Sequence, residues 1–560
     1  MKHSNGRLTQ AQTYAEAYKN FDLERAMPSS VQVPHGNFNA AIHCCDQHCG
    51  SNRTALHWTS EDGRNESYTF EQLRDASERF AQVLRAEGIT TGDRVAGLLP
   101  RVPELLITVL GAWRAGAIYQ PLFTAFGPKA IEHRVRTSAA KVIVTNSNNR
   151  HKLEGLDVAA KIITVGSPGT AVPTPDLDFH AAIRSCTTGF DTVVRSAEDP
   201  FLIMFTSGTT GLAKPLLVPL KAITAFVGYM RDAVDLQPSD EYWNIADPGW
   251  AYGLYYGITG PLAMGHATHL YDGPFTVESA VRVIRERAIT NLAGAPTAYR
   301  HIMATGPEAV RAIKGKLRAV SSAGEPLNPE VIRWFDEHLA TTIHDHYGQT
   351  EIGMVVCNHH GLSHPVHLGA AGFSVPGHRM IVLDAQGNEL PPGASGNLAL
   401  DRHHSPLFWF NGYEGMATAA LGDRYYLTGD TAQLNEDGSI SFIGRDDDVI
   451  TSAGYRIGPF DVESALLEHP AVAETAVIGK PDPERTEIVK AFVVLRPGYA
   501  ATPELSETLR RQVRDRLSAH AYPREIEFVE RLPKTPSGKI QRIILRNEER
   551  ARVQGAHRDS

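Results

Sequence analysis

Cysteine is scarce, with five in 560 residues, so a disulfide framework is excluded and a reducing compartment is expected. Long apolar runs are missing too. Nothing approaches the roughly 18 consecutive apolar residues of a membrane span. The opening stretch lacks an apolar core and carries Glu16, Asp22 and Glu24, so no export or import leader is read there and a cytoplasmic location is expected. Basic charge is in deficit: 55 Lys and Arg stand against 63 Asp and Glu, a net charge of −8. Such a balance offers no broad positive field, which argues against nucleic acid or an anionic membrane as main partner. Internal repeats and low-complexity tracts are absent as well.

What is present is ample material for burial. The chain is 42% apolar and far longer than one core supports, so several subdomains are expected. In "YTFEQLRDASERFAQVLRAEGI", Thr69 and Gln72 form a capping box, Leu73, Ala76, Phe80, Val83 and Leu84 share one helical face, and Gly88 ends the helix. The strand "DRVAGLL" follows, then a helix over about 104–115 and the β-branched strands "AKVIVTN" and "KIITV". This alternation predicts a layered α/β body with largely parallel sheets. After about Gly369 the pattern changes to short alternating strands split by Gly, Asn and Pro turns, a small β-rich subdomain over about 370–446. Beyond "GRDDD" (444–448), helices over about 461–468 and 504–518 and strands at "AVIGK", "KAFVVL" and "IEFVE" read as a separate α+β domain, 447–560.

One stretch looks made for phosphate. In "FTSGTTGLAKP" (205–215) the buried strand "PFLIMF" runs into small residues, whose backbone N–H groups and the hydroxyls of Thr206, Ser207, Thr209 and Thr210 suit phosphate oxygens. Gly208 and Gly211 are only three apart and Lys214 is followed by Pro215, which breaks the spacing of an ordinary P-loop. Elsewhere, "HCCDQHC" (43–49) offers His43, Cys45, His48 and Cys49 as zinc ligand types. No second ligand pair follows at finger spacing, and "FNAAIH" reads as a helix start. His344, His346, His359, His360, His364 and His367 read as a loop rich in solvated histidine rather than a metal site.

Together with "GEP" (324–326), "YGQTE" (347–351), "YLTGD" (426–430), "GRDDD", "SAGYRIGPFDVES" (452–464) and "PKTPSGKIQR" (533–542), this loop resembles the adenylate-forming, AMP-binding superfamily. The likeness covers about residues 30–545 and is strongest to the medium-chain acyl-CoA synthetases. It implies a large N-terminal domain and a mobile C-terminal domain swinging about a hinge at Asp447. It also implies an acid:CoA ligase that uses ATP, Mg²⁺ and coenzyme A: the acid first attacks the α-phosphate of ATP, and the acyl-adenylate then meets the thiol.

By the same resemblance, Thr206 to Gly211 (Thr206, Ser207, Gly208, Thr209, Thr210, Gly211) and Lys214 hold the β- and γ-phosphates. Gly324, Glu325 and Pro326, with Asp345, His346, Tyr347, Gly348 and Gln349, surround the adenine. Asp430 accepts from both ribose hydroxyls, aided by Arg445. Thr350 touches the α-phosphate, Glu351 holds Mg²⁺, and Arg456 contacts the adenylate. Lys539 is the adenylation lysine. Ala453, Gly454 and Tyr455 line a pantetheine tunnel, while Arg485, Tyr522, Pro523 and Arg524 hold the CoA phosphates. In acetyl-CoA synthetases a tryptophan before "QTE" and two valines close the acyl pocket; here Gly348, Ala323 and Ala251 stand at those places, with Trp250 and Tyr252 as walls. A medium-chain or aromatic monocarboxylic acid is therefore expected, and acetate is not. The alternatives are an adenylating enzyme that loads a carrier-protein phosphopantetheine arm, and a nucleotide-binding protein without ligase chemistry. The oligomeric state stays open.

Overall fold

The computed structural model describes residues 12–26, 38–167, 171–206, 212–452, 455–482, 485–517, 520–535 and 539–556, the side chains of 455, 456 and 553–556 excepted. Its largest sheet has seven strands in the order Leu177–Asp178, Lys161–Val165, Val142–Asn146, Arg94–Leu98, Ile118–Pro121, Pro200–Thr206, Lys214–Pro219. All neighbours in it are parallel except the final hairpin. Such strands are covered on both faces, which is why they read as continuous β-branched runs. The expected strands at "KVIVTN" and "KIITV" lie there. The helix Phe70–Ala86 starts with the expected capping box: Gln72 N donates to Thr69 Oγ1 at 3.2 Å and Thr69 N to Gln72 Oε1 at 2.8 Å. It packs on Pro103–Arg114, which is apolar all round because it is enclosed. Gly111 allows the close approach, since a Cβ there would sit 2.7 Å from the Phe80 ring.

Arg114 is buried at the end of that helix and donates to Ser77 Oγ at 2.8 Å and to Asp46 Oδ2 at 2.9 Å. This pair pins the segment 43–49 to the core. There His48 Nε2 is turned to the His43 and Ala263 carbonyls, and the Cys45 thiol donates to the Phe70 carbonyl.

The central six-stranded sheet runs Tyr242–Asn244, Asn291–Gly294, Ala319–Ala323, Ile343–Gln349, Gly353–Cys357, Phe373–Ser374, parallel through the fourth strand and antiparallel after it. A four-stranded antiparallel sheet follows (Met380–Leu383, Ser395–Asp401, Tyr425–Leu434, Ile440–Arg445), then a five-stranded sheet with helices at Pro459–Leu467, Pro503–Arg516 and Arg542–Ala556. The chain is thus α/β, with layered α/β subdomains, a small antiparallel sheet and a C-terminal α+β part. A three-stranded sheet, Thr268–Asp272, Thr54–Ser60, Asn65–Thr69, flanks the body. Among the described residues no helix is long and apolar enough to cross a membrane.

The histidines differ from expectation. His346 and His359 are buried and His344, His360 and His364 are half-buried; only His367 is exposed, paired with Asp437 at 2.8 Å. The His344 and His360 rings stack 3.7 Å apart, their nitrogens directed at the Asn358 and Val320 carbonyls at 3.0 Å. They are wedges against the central sheet, legible only once that sheet exists. Burial holds His344 down to about 4 and His359 to about 3, and His346 and His360 well below the ordinary value. A depressed histidine adds stability that is complete above the unfolded value near 6.5, and is lost as pH falls toward the folded one, because only the unfolded chain takes the proton. The thermal midpoint should therefore fall between pH 6.5 and about 4. His359→Gln should remove about one proton from that slope; an unaltered slope would contradict the assignment.

Candidate active site

The parallel strands of the central sheet end together at one edge, where open α/β sheets gather ligands. Ala319–Ala323 pairs with Ile343–Gln349 so that Ser322 faces Asp345 and Ala323 faces His346. Just beyond, Gly324 turns the chain at φ +102°, a conformation that favours glycine. Glu325 is held by Arg300 at 2.9 Å, and Asp345 Oδ2 accepts from Leu327 N at 3.3 Å. Glu325 Oε1 and Asp345 Oδ1 are buried with no hydrogen-bond partner among the described residues. Desolvation pushes the Asp345 carboxyl up to about 8.

Asp430 lies on the neighbouring antiparallel sheet and is 3% exposed. Its Oδ2 accepts from Tyr347 Oη at 2.5 Å and Gln349 Nε2 at 2.9 Å. Gln349 Nε2 also donates to the Thr428 carbonyl at 2.8 Å and its Oε1 accepts from Tyr426 Oη at 2.9 Å, so the amide has one orientation. Across the strand pair Arg445 stands opposite, Nη1 at 3.4 Å from Asp430 Oδ1. That oxygen has no hydrogen-bond partner among the described residues. Burial raises the Asp430 carboxyl to about 6, with Arg445, Tyr347 and Gln349 pulling the other way. A buried carboxylate kept short of donors has the capacity to accept further hydrogen bonds.

The phosphate-loop hairpin pairs Thr206 with Lys214. Of the residues expected there, Ser207, Gly208, Thr209, Thr210 and Gly211 lie outside the described residues. Lys214 opens the second strand rather than lying in the loop, and its Nζ sits 5.1 Å from the centre of the Tyr413 ring. Glu414 N donates to the Pro215 carbonyl at 2.9 Å, fixing Tyr413 beside the hairpin. Tyr413 Oη donates to Glu351 Oε1 at 2.7 Å. Glu351 is 7% exposed, and the adjacent Thr350 carbonyl accepts from Tyr255 Oη at 3.2 Å. Tyr413, Tyr426 and Tyr255 were not read from the sequence. Tyr413 is 62 positions from Glu351, and no local pattern carries that pairing.

Lys539 is exposed, and its Cε comes within 3.9 Å of the place a Cβ would take on Gly324. Thr535 holds its loop through Oγ1 (3.0 Å from Lys539 N) and through N (2.7 Å from Lys539 O). The C-terminal part leans on the central sheet through Asn328 Nδ2 to Ser464 Oγ at 3.0 Å. At the junction, Arg546 donates to the Asp447 carbonyl and pairs with Asp448 at 2.9 Å, and Arg445 Nε lies 3.8 Å from Asp447 Oδ1.

The residues expected at CoA are more scattered. Ala453 and Gly454 lie outside the described residues; the backbone of Tyr455 pairs with Ser452 and that of Arg456 with Thr451. Arg485 precedes the strand Thr486–Leu495. Arg524 lies over the Tyr522 ring at 5.5 Å, with Pro523 buried between them.

Around the expected acyl wall, Trp250 packs on Phe123 and Phe126, ring centres 5.5 and 5.4 Å away, and Ala323 is buried. Tyr252 meets Tyr229 at 3.3 Å, and Tyr229 meets His346 Nδ1 at 2.7 Å. His346 Nε2 lies 3.1 Å from the Asn358 carbonyl, which can only accept, so Nδ1 is the acceptor and Tyr229 the donor. Gly348 needs correction as a measure of pocket width. A Cβ there would collide with the Gly353 carbonyl and lie 2.7 Å from Met354 Cα, at a bulge between the two strands. Its bareness is demanded by strand register, and a tryptophan there would displace backbone before entering any pocket.

The chain matches the AMP-binding enzyme family over residues 43–413 and the AMP-binding enzyme C-terminal domain over 461–539. It is 39% identical over 543 residues to the acetyl-coenzyme A synthetase of Bacillus subtilis (strain 168), covering 95% of this chain and 94% of that one. The crystal structure of Brucella canis acyl-CoA synthetase shares 56% identity at a TM-score of 0.79, covering 97% of this chain and 100% of the other. The anthranilate CoA ligase AuaEII, solved in complex with anthranoyl-AMP, shares 25% at a TM-score of 0.85, covering 94% and 100%. Asp430 with one oxygen lacking a hydrogen-bond partner among the described residues, a buried Glu351 and Lys539 close to Gly324 are thus found in a chain that belongs to the AMP-binding enzyme family, among its acyl-CoA synthetases.

Proposed function

We propose that this protein joins a medium-chain or aromatic carboxylic acid to coenzyme A through an acyl-adenylate, using Lys539 for the first half-reaction. The observation that carries the reading is the approach of the Lys539 side chain to Gly324, beside the unpartnered oxygens of Glu325 and Asp345. The acid's carboxylate attacks the α-phosphate of ATP and pyrophosphate leaves. Negative charge grows on the phosphate oxygens, and a preorganised ammonium there contributes on the order of 10²- to 10³-fold in rate. Asp430 holds the ribose and Lys214 the departing phosphates. CoA sulfur then attacks the acyl carbon and AMP leaves, for which the Lys539 loop must withdraw about Asp447.

Glu351 suits Mg²⁺, a hard cation that takes oxygen ligands. Tyr413 holds Oε1, so Oε2 is the oxygen it offers. When bound, the ion neutralises triphosphate charge.

For the acid, the aromatic setting of Trp250 and the anthranoyl-AMP complex of the AuaEII ligase support a ring or a longer chain. The name of the Bacillus relative points to acetate, so the acid's size is the part to test. Loading of a carrier protein is not favoured: the relatives described above are CoA synthetases and ligases, and Asp247, the acidic residue closest before Trp250 in sequence, is tied to Gly249 N at 2.8 Å and to Arg101 at 3.7 Å.

In a screen of acids from acetate to octanoate and benzoate, read by pyrophosphate release, kcat/KM should peak at a medium-chain or aromatic acid; a maximum at acetate would refute the substrate assignment. Lys539→Ala should lower acid-dependent ATP–pyrophosphate exchange about 10²- to 10³-fold while sparing thioester formation from supplied acyl-adenylate, and Gly454→Leu should do the reverse. Equal loss of both half-reactions in both variants would rule out alternation. Tyr413→Phe should raise the Mg²⁺ concentration for half-maximal exchange about tenfold, as for other residues that orient a metal ligand; an unchanged Mg²⁺ dependence would leave Tyr413 a merely structural role.

A further inference from the structure

Away from the nucleotide, the strand Thr54–Ser60 sets His57 directly opposite His269 of Thr268–Asp272, and the two rings stack with centres 4.7 Å apart. Glu241 reaches the same spot from the start of the central sheet. Its Oε2 lies 2.7 Å from His269 Nε2 and 3.9 Å from His57 Nε2. One ligand atom from each of the three lies within 4.8 Å of the others. Tetrahedral zinc with bonds near 2.0–2.2 Å separates its ligands by about 3.3 Å, so modest side-chain movement would close the set. This is the one group of three or more such ligands found among the described residues.

We propose that His57, His269 and Glu241 form a binding site for a borderline divalent transition ion of the zinc class, with solvent as the fourth ligand. Two imidazoles and one carboxylate suit zinc, nickel or copper rather than magnesium or calcium. His57 Nδ1 lies 2.8 Å from Ser67 Oγ, the outer contact that orients a ligating imidazole and leaves Nε2 for the ion. His269 is 4% exposed and Glu241 more open, so the ion would have a rigid inner wall and an entry from solvent. A ligating imidazole is neutral and offers a bare nitrogen, so in the metal-bound form His269 carries its ring proton on Nδ1 and turns Nε2, now facing Glu241, to the ion. Arg287 is the cation near the pair. Its guanidinium is engaged by Thr59 Oγ1, the Trp58 carbonyl and Asn65 Oδ1 at 2.6–2.9 Å, and its charge moderates the affinity.

The position gives the ion a structural task. Glu241 is anchored through its backbone to Thr290, with N to Oγ1 at 3.1 Å and O accepting from Thr290 N at 3.0 Å, and it immediately precedes Tyr242–Asn244. An ion shared with the two histidines would clamp the outer three-stranded sheet to the edge of the central sheet.

The test uses the full chain, stripped with chelator and exchanged into excess Mg²⁺, then titrated with Co²⁺ and back-titrated with Zn²⁺. One equivalent of Co²⁺ should give the visible absorption of a low-coordinate site, Zn²⁺ should abolish it, and the thermal midpoint should rise with the logarithm of free Zn²⁺. His269→Ala and the gentler Glu241→Gln should both lose the signal, while His403→Ala keeps it. Absence of the absorption, or an unchanged equivalent in Glu241→Gln, would overturn the site and place any bound ion on other histidines or on 43–49.

Discussion

A buried carboxylate, Asp430, is the joint on which the site depends. Tyr347 and Gln349 bring it the end of the central sheet, and Arg445 brings it the last strand before the C-terminal part. Arg445 also approaches Asp447, so the group that answers Asp430 touches the expected pivot. Low dielectric makes each contact stronger and each missing contact costlier, which is why an oxygen left without a donor there points to a ligand rather than to neglect.

The remaining electrostatics follow from where charge is delivered. Glu351 is enclosed and oriented by Tyr413, which also lies beneath Lys214, so the hairpin of the phosphate loop and the carboxylate suited to Mg²⁺ share one aromatic ring. Lys539 approaches Gly324 on an exposed segment braced by Thr535. A cation on an exposed turn is cheap to move, whereas one embedded in the sheet would have to be desolvated and stay there. Under the proposed function, activation and thiol transfer would ask opposite things of that lysine, and a placement on the C-terminal α+β part suits both.

Legibility was uneven, for identifiable reasons. Thr69–Gln72, the strands at 142–146 and 161–165 and the helices Pro459–Leu467 and Pro503–Arg516 were readable because capping and periodicity are local, whereas the last helix, Arg542–Ala556, was not anticipated. The motif residues Gly324, Asp430, Glu351 and Lys539 were legible only as a joint pattern, since each alone resembles a turn residue or a surface charge. Of the histidine set only His367 is solvated as expected: polarity suggested solvent, but a parallel sheet needs cover on both faces, and the stacked, hydrogen-bonded imidazoles of His344 and His360 help supply it. Gly348 was read as a widened pocket when its backbone neighbours on the next strand already exclude a side chain.

The sequence by itself determined the class of chemistry, the order of the structural layers and which motif residues to look for around Gly324 and Asp430, because spacing within a turn or a helix is written in consecutive residues. Tertiary structure alone decided which tyrosines orient Glu351 and Gln349, which histidines are dry, and that His57, Glu241 and His269 converge. Those pairings join residues tens to hundreds of positions apart, and only sheet register and packing bring such distant side chains within hydrogen-bond reach.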